Sequence, residues 1–168
     1  IARRVEAVKQ PGDVVVLSIH WGANWGYAVA DGERAFARSL IDSARVDLVH
    51  GHSSHHPKGV EVYRGRLILY GCGDFINDYE GIRGHEAFRG DLGLMYLPVL
   101  EARTGRLARL EMIATQMKRF QVRRAADADA RGLSAMLDPE GGRFGTRSEL
   151  LTGGRSELHW EPDREPSK

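Results

Sequence analysis

Histidine side chains are concentrated in one short segment of the chain. Four of the seven histidines, His50, His52, His55 and His56, lie within seven positions, and His20 follows an earlier apolar run. Neutral imidazole is the commonest side-chain ligand of metals in proteins. Two histidines on a tight loop can share one ion, and a histidine from another strand can complete its coordination. The spacing predicts a metal site among these side chains, although a single histidine at a strand end more often only hydrogen-bonds a loop.

Other side chains near this segment have both a structural and a chemical interpretation. His50 lies one position inside its predicted strand, so we expect it to pack or to orient a neighbouring ligand. Asp74, with Asn77 and Asp78 close behind, follows another predicted strand and could supply oxygen ligands or a general acid, or simply form a turn. Cys72 is expected to be a small buried residue rather than a metal ligand or a reactive thiol.

A helical pattern separates the strands that carry these histidines. The apolar run Asp13–Ile19 predicts a strand buried on both faces, and Val46–Val49 predicts a second strand. Between them, Ala30–Ala44 has apolar residues at helical spacing. This βαβ pattern predicts that the two strands are parallel neighbours. His20 and the histidine cluster then share one edge of the sheet, beyond the carboxyl ends of the strands, where open α/β sheets bind ligands.

The remainder of the chain is predicted to be mainly β-structure. Val60–Tyr63 and Leu67–Tyr70 flank a short glycine-containing link and are expected to form an antiparallel hairpin. The other predicted elements are a helical end at Ile1–Gln10, strands at Leu92–Leu100, Leu107–Ala114 and Arg119–Arg123, a helix at Ala125–Leu137, and an edge strand at Leu158–Trp160. We therefore expect a single α/β domain over residues 1–168, with a disordered tail at residues 161–168.

Composition argues against several classes of protein. Apolar residues make up 42% of the chain and charged residues 28%, which is typical of a globular domain. The 24 lysines and arginines nearly balance the 23 acidic residues, so charge gives no support for nucleic-acid binding. The longest apolar runs have only the length of a strand, far below the ~20 residues of a membrane span. A single cysteine excludes an internal disulfide and a multi-cysteine zinc module.

Three short motifs occur in order along the first half of the chain. His-Trp-Gly follows the first strand at residues 20–22, Val-Asp-Leu-Val-x-Gly-His-x-x-His spans residues 46–55, and Tyr-x-Gly-x-Leu-Ile-Leu-Tyr-Gly-x-Gly-Asp-Phe spans residues 63–75. In this order they resemble the CapA family of bacterial capsule synthesis or poly-γ-glutamate biosynthesis proteins. The similarity is clearest from Gly12 to about Ile82 and continues less specifically to about Trp160. It implies a metallophosphatase-like (calcineurin-like) α/β sandwich with a β-rich C-terminal part.

The resemblance also implies roles for individual side chains. His20 matches the single histidine after a strand that is a metal ligand in metallophosphatase-like proteins. His52 and His55 match the Gly-His-x-x-His loop and are the other implied ligands. Asp74 stands where the family usually has the asparagine of a Gly-Asn-Phe triplet, and it is the candidate catalytic residue. The implied cofactors are divalent ions such as Zn, Mn or Fe, forming a dinuclear centre in the full-length protein.

Two features depart from the family pattern. Family members commonly have a second histidine directly after the first loop histidine, whereas this chain has Ser53 there. The site could therefore have one histidine fewer, or His56 could take its place. The family's first motifs, an early Gly-Asp, a middle Asn-Leu-Glu and an Asn-His, would all lie before Ile1. We therefore expect the chain to be the C-terminal half of a longer CapA-like domain, with further metal ligands in the other half. Cytoplasmic and cell-envelope locations both remain open.

Two functions of different classes are compatible with these features. The first is a metal-dependent hydrolase of phosphoester or amide bonds that takes part in capsule or poly-γ-glutamate production. The second is a non-catalytic capsule-assembly component that binds an anionic polymer. The second function would use basic residues near the histidine edge of the sheet, namely Lys58, Arg64, Arg66, Arg83 and Arg89. Intact upstream motifs would favour the enzyme.

Overall fold

The computed structural model describes residues 1–78 and 82–161. Its α-helices are α1 Ala2–Val8, α2 Asp31–Asp42 and α3 Asp127–Arg143. Its strands are β1 Val16–His20, β2 Leu48–His52, β3 Val60–Tyr63, β4 Arg66–Leu69, β5 Leu92–Leu100, β6 Leu107–Lys118, β7 Gln121–Arg124, β8 Thr146–Leu150 and β9 Arg155–Trp160. Of the predicted tail at residues 161–168, only residue 161 is among the described residues.

The first sheet carries the histidines and has the strand order β1-β2-β4-β3. β1 and β4 both run parallel to β2, and β3 pairs antiparallel with β4. Helix α2 covers one face of this sheet, because Ala37 and Leu40 are buried in one apolar cluster with Val49 and Ile68. The predicted βαβ unit and the predicted hairpin are both confirmed.

Strand β1 is exposed on one face, so the prediction that it is buried on both faces was wrong. Leu17 and Ile19 pack partly against the apolar cluster beneath α2. Val16 is 56% exposed, and Ser18 and His20 on the same side are exposed as well. Valine and isoleucine favour strands through their branched side chains as well as through burial. Their presence in β1 therefore did not reveal its position in the sheet.

The second sheet is antiparallel and packs against the first. Its strand order is β5-β6-β9-β8, and β7 pairs with the far end of β6. The core between the sheets joins apolar side chains of β4, β5, β6 and α3, including Leu67, Leu69, Leu92, Leu94, Leu110, Met112, Leu133 and Leu137. The two sheets and their helices confirm the α/β fold class. No helix among the described residues is long and apolar enough to cross a membrane.

Helix α3 is longer than predicted. It continues past Leu137 and through Pro139 to Arg143. An internal proline removes one helical hydrogen bond, so other contacts must hold the last turns. Gly141 packs so closely on β8 that a Cβ would lie 2.9 Å from Thr146 Oγ1, and that hydroxyl donates to the Gly141 carbonyl at 3.1 Å. These contacts hold the last turn of α3 against the start of β8.

Strand β9 lies inside the second sheet, so the prediction of an edge strand at Leu158–Trp160 was wrong. The edge position belongs to β8, which the sequence analysis missed. Along β8, buried Thr146 and half-buried Ser148 alternate with exposed Arg147 and Glu149. The two-residue period of a strand is present, but hydroxyl residues stand at the inward positions where apolar residues are expected.

Candidate functional site

His20 and His52 are the last residues of adjacent parallel strands. The register of β1 on β2 places them opposite each other, and their ring centroids are 5.3 Å apart. Two imidazoles that share one tetrahedral ion at about 2.0–2.1 Å from each nitrogen would have centroids about 5 Å apart. The spacing of this pair is therefore compatible with a shared ion. The prediction that both histidines lie on the same side of the sheet is confirmed.

His55 and Asp74 form the second pair at this edge. His55 Nδ1 lies 3.0 Å from Asp74 Oδ2, and the Asn77 side-chain amide donates to the same oxygen at 3.3 Å. An Nδ1–H donated to a carboxylate leaves the lone pair on Nε2, which is the arrangement that metal-binding histidines commonly show. Asp74 therefore contacts a predicted metal ligand, and its catalytic role stays a prediction.

The histidine site is assembled in pairs rather than as one closed cluster. Within residues 1–78 and 82–161, no group of three or more histidine, cysteine, aspartate or glutamate side chains is arranged to hold a metal ion. The structure brings His20 together with His52, and His55 together with Asp74. A site in which all three histidines bind metal stays a prediction.

His50 packs beside the pair on β1 and β2. Its Nδ1 lies 3.0 Å from Ser18 Oγ, and its ring centroid lies 5.8 Å from that of His52. Burial, with a smaller contribution from His52, lowers the pKa of His50 and favours its neutral ring. These contacts match the expectation that His50 packs or orients a neighbouring ligand.

His56 is fully buried in aromatic packing. Its Nδ1 lies 3.0 Å from the Pro57 carbonyl, and its ring stacks on Phe88 with centroids 5.0 Å apart. Tyr27 meets the ring edge-on at 4.5 Å. Burial lowers the pKa of His56 despite the hydrogen bond to Pro57. These contacts give no support to the alternative that His56 compensates for the serine at position 53.

An aromatic pair forms one side of the site. Trp25 stacks on His85 with ring centroids 4.0 Å apart and lies 5.1 Å from His55. Backbone and side-chain hydrogen bonds tie this loop to the histidine loop, since His55 N–H donates to the Asn24 carbonyl and Ser53 Oγ donates to Asn24 Oδ1. The sequence predicts no role for His85, because no other histidine lies near it in the chain.

An apolar cavity of about 540 Å³ opens between the two sheets beside His50 and His52. Cys72 lies in its lining, and burial raises the pKa of its thiol to about 12. The Tyr96 hydroxyl is buried there without a hydrogen-bond partner among the described residues. Other lining residues are Val16, Leu48, Leu69, Phe75, Leu94, Met95 and Pro98. Cys72 is buried, as expected of a small core residue.

Basic residues do not gather at the histidine edge as the sequence analysis expected. Arg64 and Arg66 lie at the start of β4, the end of the sheet opposite His52, and each forms an ion pair with an aspartate. Placing these two near the histidines was wrong, because consecutive parallel strands begin at one edge of a sheet and end at the other. Arg89 is paired with two carboxylates, and Lys58 is buried. Arg64 and Arg66 therefore give no support to the polymer-binding alternative.

Sequence comparison relates the chain to known proteins. The sequence model of the bacterial capsule synthesis protein family PGA_cap matches residues 1–79. A probable polyglutamine synthesis accessory protein of Mycobacterium tuberculosis is 50% identical over 147 residues, covering 88% of this chain and 38% of that protein. The PGA biosynthesis protein CapA of Bacillus subtilis is 35% identical over 74 residues, covering 44% of this chain and 19% of that protein.

A third relative is also named as a CapA protein. The capsule biosynthesis protein CapA of Bacillus anthracis is 30% identical over 78 residues, covering 46% of this chain and 19% of that protein. The chain thus spans less than two fifths of the length of these relatives. The motifs at residues 20–22, 46–55 and 63–75 lie inside the stretch that the family model matches. The N-terminal 79 residues of the chain thus carry the sequence signature of the PGA_cap family of bacterial capsule synthesis proteins.

Proposed function

We propose that the whole protein is a metal-dependent hydrolase that acts in capsule or poly-γ-glutamate synthesis. The observation that carries this proposal is the 5.3 Å separation of His20 and His52 at the ends of two parallel strands. His55, held by Asp74, is the third metal ligand in this proposal. The relatives are named for polyglutamine synthesis, PGA biosynthesis and capsule biosynthesis, which supports a role in capsule or poly-γ-glutamate synthesis. In this proposal the substrate contains a phosphoester or an amide bond, and it can be an anionic polymer.

The donor set suits a zinc-like, manganese or iron ion, because neutral imidazoles bind such ions well. In this proposal further ligands, and a second ion, come from parts of the whole protein outside this chain. A bound divalent ion would supply Lewis-acid stabilisation of the negative charge that develops on an oxygen during hydrolysis. The burial of His50 favours a neutral imidazole beside His52 and so reduces repulsion of the cation.

In this proposal Asp74 acts through His55 rather than on the substrate. Its carboxylate accepts a hydrogen bond from the Nδ1–H of His55, and the Nε2 lone pair therefore points away from the carboxylate. Asn77 donates to the same oxygen and restrains the carboxylate. Asp74 is thus assigned as a positioning residue for a metal ligand.

Metal content and hydrolysis by the full-length protein test the proposal. His20→Ala and His52→Ala should each lower the bound metal and abolish hydrolysis of a phosphodiester and of poly-γ-glutamate, with the circular dichroism spectrum unchanged. His159→Ala is the matched control, since His159 lies on β9 and pairs with Glu149 at 2.8 Å. Unchanged metal stoichiometry and affinity in His20→Ala would contradict the proposed ligand set.

The same experiment addresses the binding-protein alternative. A protein that retains metal and binds polyglutamate, yet turns over neither substrate, would replace the hydrolase with the capsule-assembly component. The basic residues offered for that role lie largely in ion pairs or away from the histidines. We therefore expect turnover.

A further inference from the structure

A polar cavity of about 410 Å³ lies beside the histidine site. It is bounded by the segment of residues 82–91 and by the end of β6 at residues 116–118. His85 lines this cavity, and its ring stacks on Trp25, whose ring centroid lies 5.1 Å from that of His55. Two ring contacts therefore connect the cavity to a predicted metal ligand.

Basic side chains outnumber acidic ones in the wall of this cavity. Arg83 and Lys118 are exposed there, and they form no ion pair within the part of the chain that the structure describes. The acidic lining residues are Glu86 and Asp91, and Asp91 is already paired with Arg89. The cavity is therefore suited to a negatively charged ligand.

The hairpin of β6 and β7 extends this positive charge beyond the cavity. Arg123 lies opposite Gln116 in the hairpin, so it shares a face with Lys118, and Arg119 stands in the turn between the strands. Both arginines are exposed. Same-face positions along a strand are roughly 7 Å apart, so the charges are separated rather than clustered. Together with Arg83 these three side chains form what we call the basic surface.

The turn of this hairpin has an unusual sequence for its backbone shape. Its two residues, Arg119 and Phe120, have φ values of 54° and 57°, in the left-handed region. Two-residue hairpin turns with this backbone strongly prefer asparagine, aspartate or glycine. Strained residues of other types concentrate at functional sites. An exposed arginine at this position is therefore a second indication that the hairpin has a binding role.

We propose that the basic surface binds a stretch of a linear polymer that carries repeated carboxylates. A single phosphate or carboxylate is held best by donors that converge on it, whereas these charges are spread along a cavity and a hairpin. A chain with many negative charges can contact several of them at once. The neighbouring part of that chain would then pass over the Trp25–His85 stack towards His55. This inference rests on the proposed function, because it supplies the substrate-binding surface of the same site.

Binding of fluorescently labelled poly-γ-glutamate to the full-length protein tests the basic surface. Fluorescence anisotropy in the presence of EDTA measures binding without hydrolysis. Neutral substitutions should each weaken binding about two- to fivefold, the size expected of exposed charge contacts, and together about tenfold or more. These substitutions are Arg83→Gln, Lys118→Gln, Arg119→Gln and Arg123→Gln. Affinity should also depend less steeply on salt in the combined variant, because binding displaces fewer counter-ions.

Arg147→Gln is the matched control for these substitutions. Arg147 is an exposed arginine on β8 that does not line the cavity, so its loss should leave the affinity for the polymer at the wild-type value. Circular dichroism checks that every variant keeps its fold.

Several outcomes would overturn the basic surface. These are no polymer binding by the wild type, wild-type affinity in the combined variant, and an equal loss in the Arg147→Gln control. Tighter binding to phosphatidylglycerol vesicles than to the polymer would make this a membrane-binding surface instead. The proposed function fails separately. A protein that binds the polymer through these residues, yet hydrolyses neither test substrate when loaded with metal, would keep the basic surface and lose the hydrolase.

Discussion

His55 and Asp74 are 19 residues apart in the chain, yet His55 Nδ1 lies 3.0 Å from Asp74 Oδ2. The contact joins the loop after β2 to the loop after β4. These strands are parallel neighbours, with His50 opposite Leu69, so both loops leave the sheet at the same edge. The position of a candidate metal ligand therefore depends on a second loop.

Removing the Asp74 carboxylate should weaken metal binding by the histidine site. Asp74→Ala is expected to lower zinc affinity by about 10–100-fold, because the His55 ring loses the partner that orients it. Asp74→Asn should lose less, since its amide oxygen still accepts a hydrogen bond. Isothermal titration calorimetry with zinc measures the affinity of both variants. The control is Asp78→Asn, because Asp78 is exposed and lies four positions after Asp74. Equal affinity in Asp74→Ala and wild type would remove Asp74 from the site.

The Cys72 thiol should react slowly in the folded protein. Burial raises its pKa to about 12, so the reactive thiolate is scarce at neutral pH, and the buried sulfur is hard to reach. Ellman's reagent should modify Cys72 quickly only after denaturation. Rapid labelling of the folded protein that bound zinc blocks would instead place the thiol in the metal site.

Acidification should destabilise the fold through His56. Its folded-state pKa is lowered, chiefly by burial, so the unfolded chain takes up a proton that the folded chain resists. The contribution of His56 to stability is complete above the unfolded pKa of about 6.5 and is lost progressively as the pH falls below it. The free energy of unfolding, measured in urea, should therefore fall less between about pH 7 and pH 5 in His56→Phe than in wild type. An identical decrease in both proteins would show that His56 does not titrate in this way.

Neutralising Glu61 should cause a large loss of stability. This buried carboxylate accepts the Tyr70 hydroxyl at 2.5 Å and forms ion pairs with Arg34 and Arg38. Glu61→Gln leaves two guanidinium groups without their counter-charge, and breaking a buried pair costs about 3–5 kcal/mol, less here because both arginines are partly exposed. Urea unfolding measures the change, with the exposed Glu6→Gln on α1 as control. If Glu61→Gln lowers the free energy of unfolding no more than the control does, water solvates the two arginines well enough in the absence of the Glu61 charge.

Local patterns were sufficient for the elements that carry the site. The apolar runs, the helical spacing at residues 30–44 and the glycine link of the hairpin predicted the parallel pair β1–β2, helix α2 and the β3–β4 hairpin. These features depend on neighbours in the chain, which is why sequence periodicity reports them. The order of the three motifs likewise predicted the family that residues 1–79 match.

Contacts between distant residues were decided only by the tertiary structure. Burial of β1 depended on the order of strands in the sheet, which no local pattern encodes. The stacking of Trp25 on His85 and the pairing of His55 with Asp74 join residues that are 60 and 19 positions apart. The sequence by itself determined which side chains could bind a metal and on which strands they lie. Packing of the loops decided which of them meet, because the distance between two loops depends on every element beneath them.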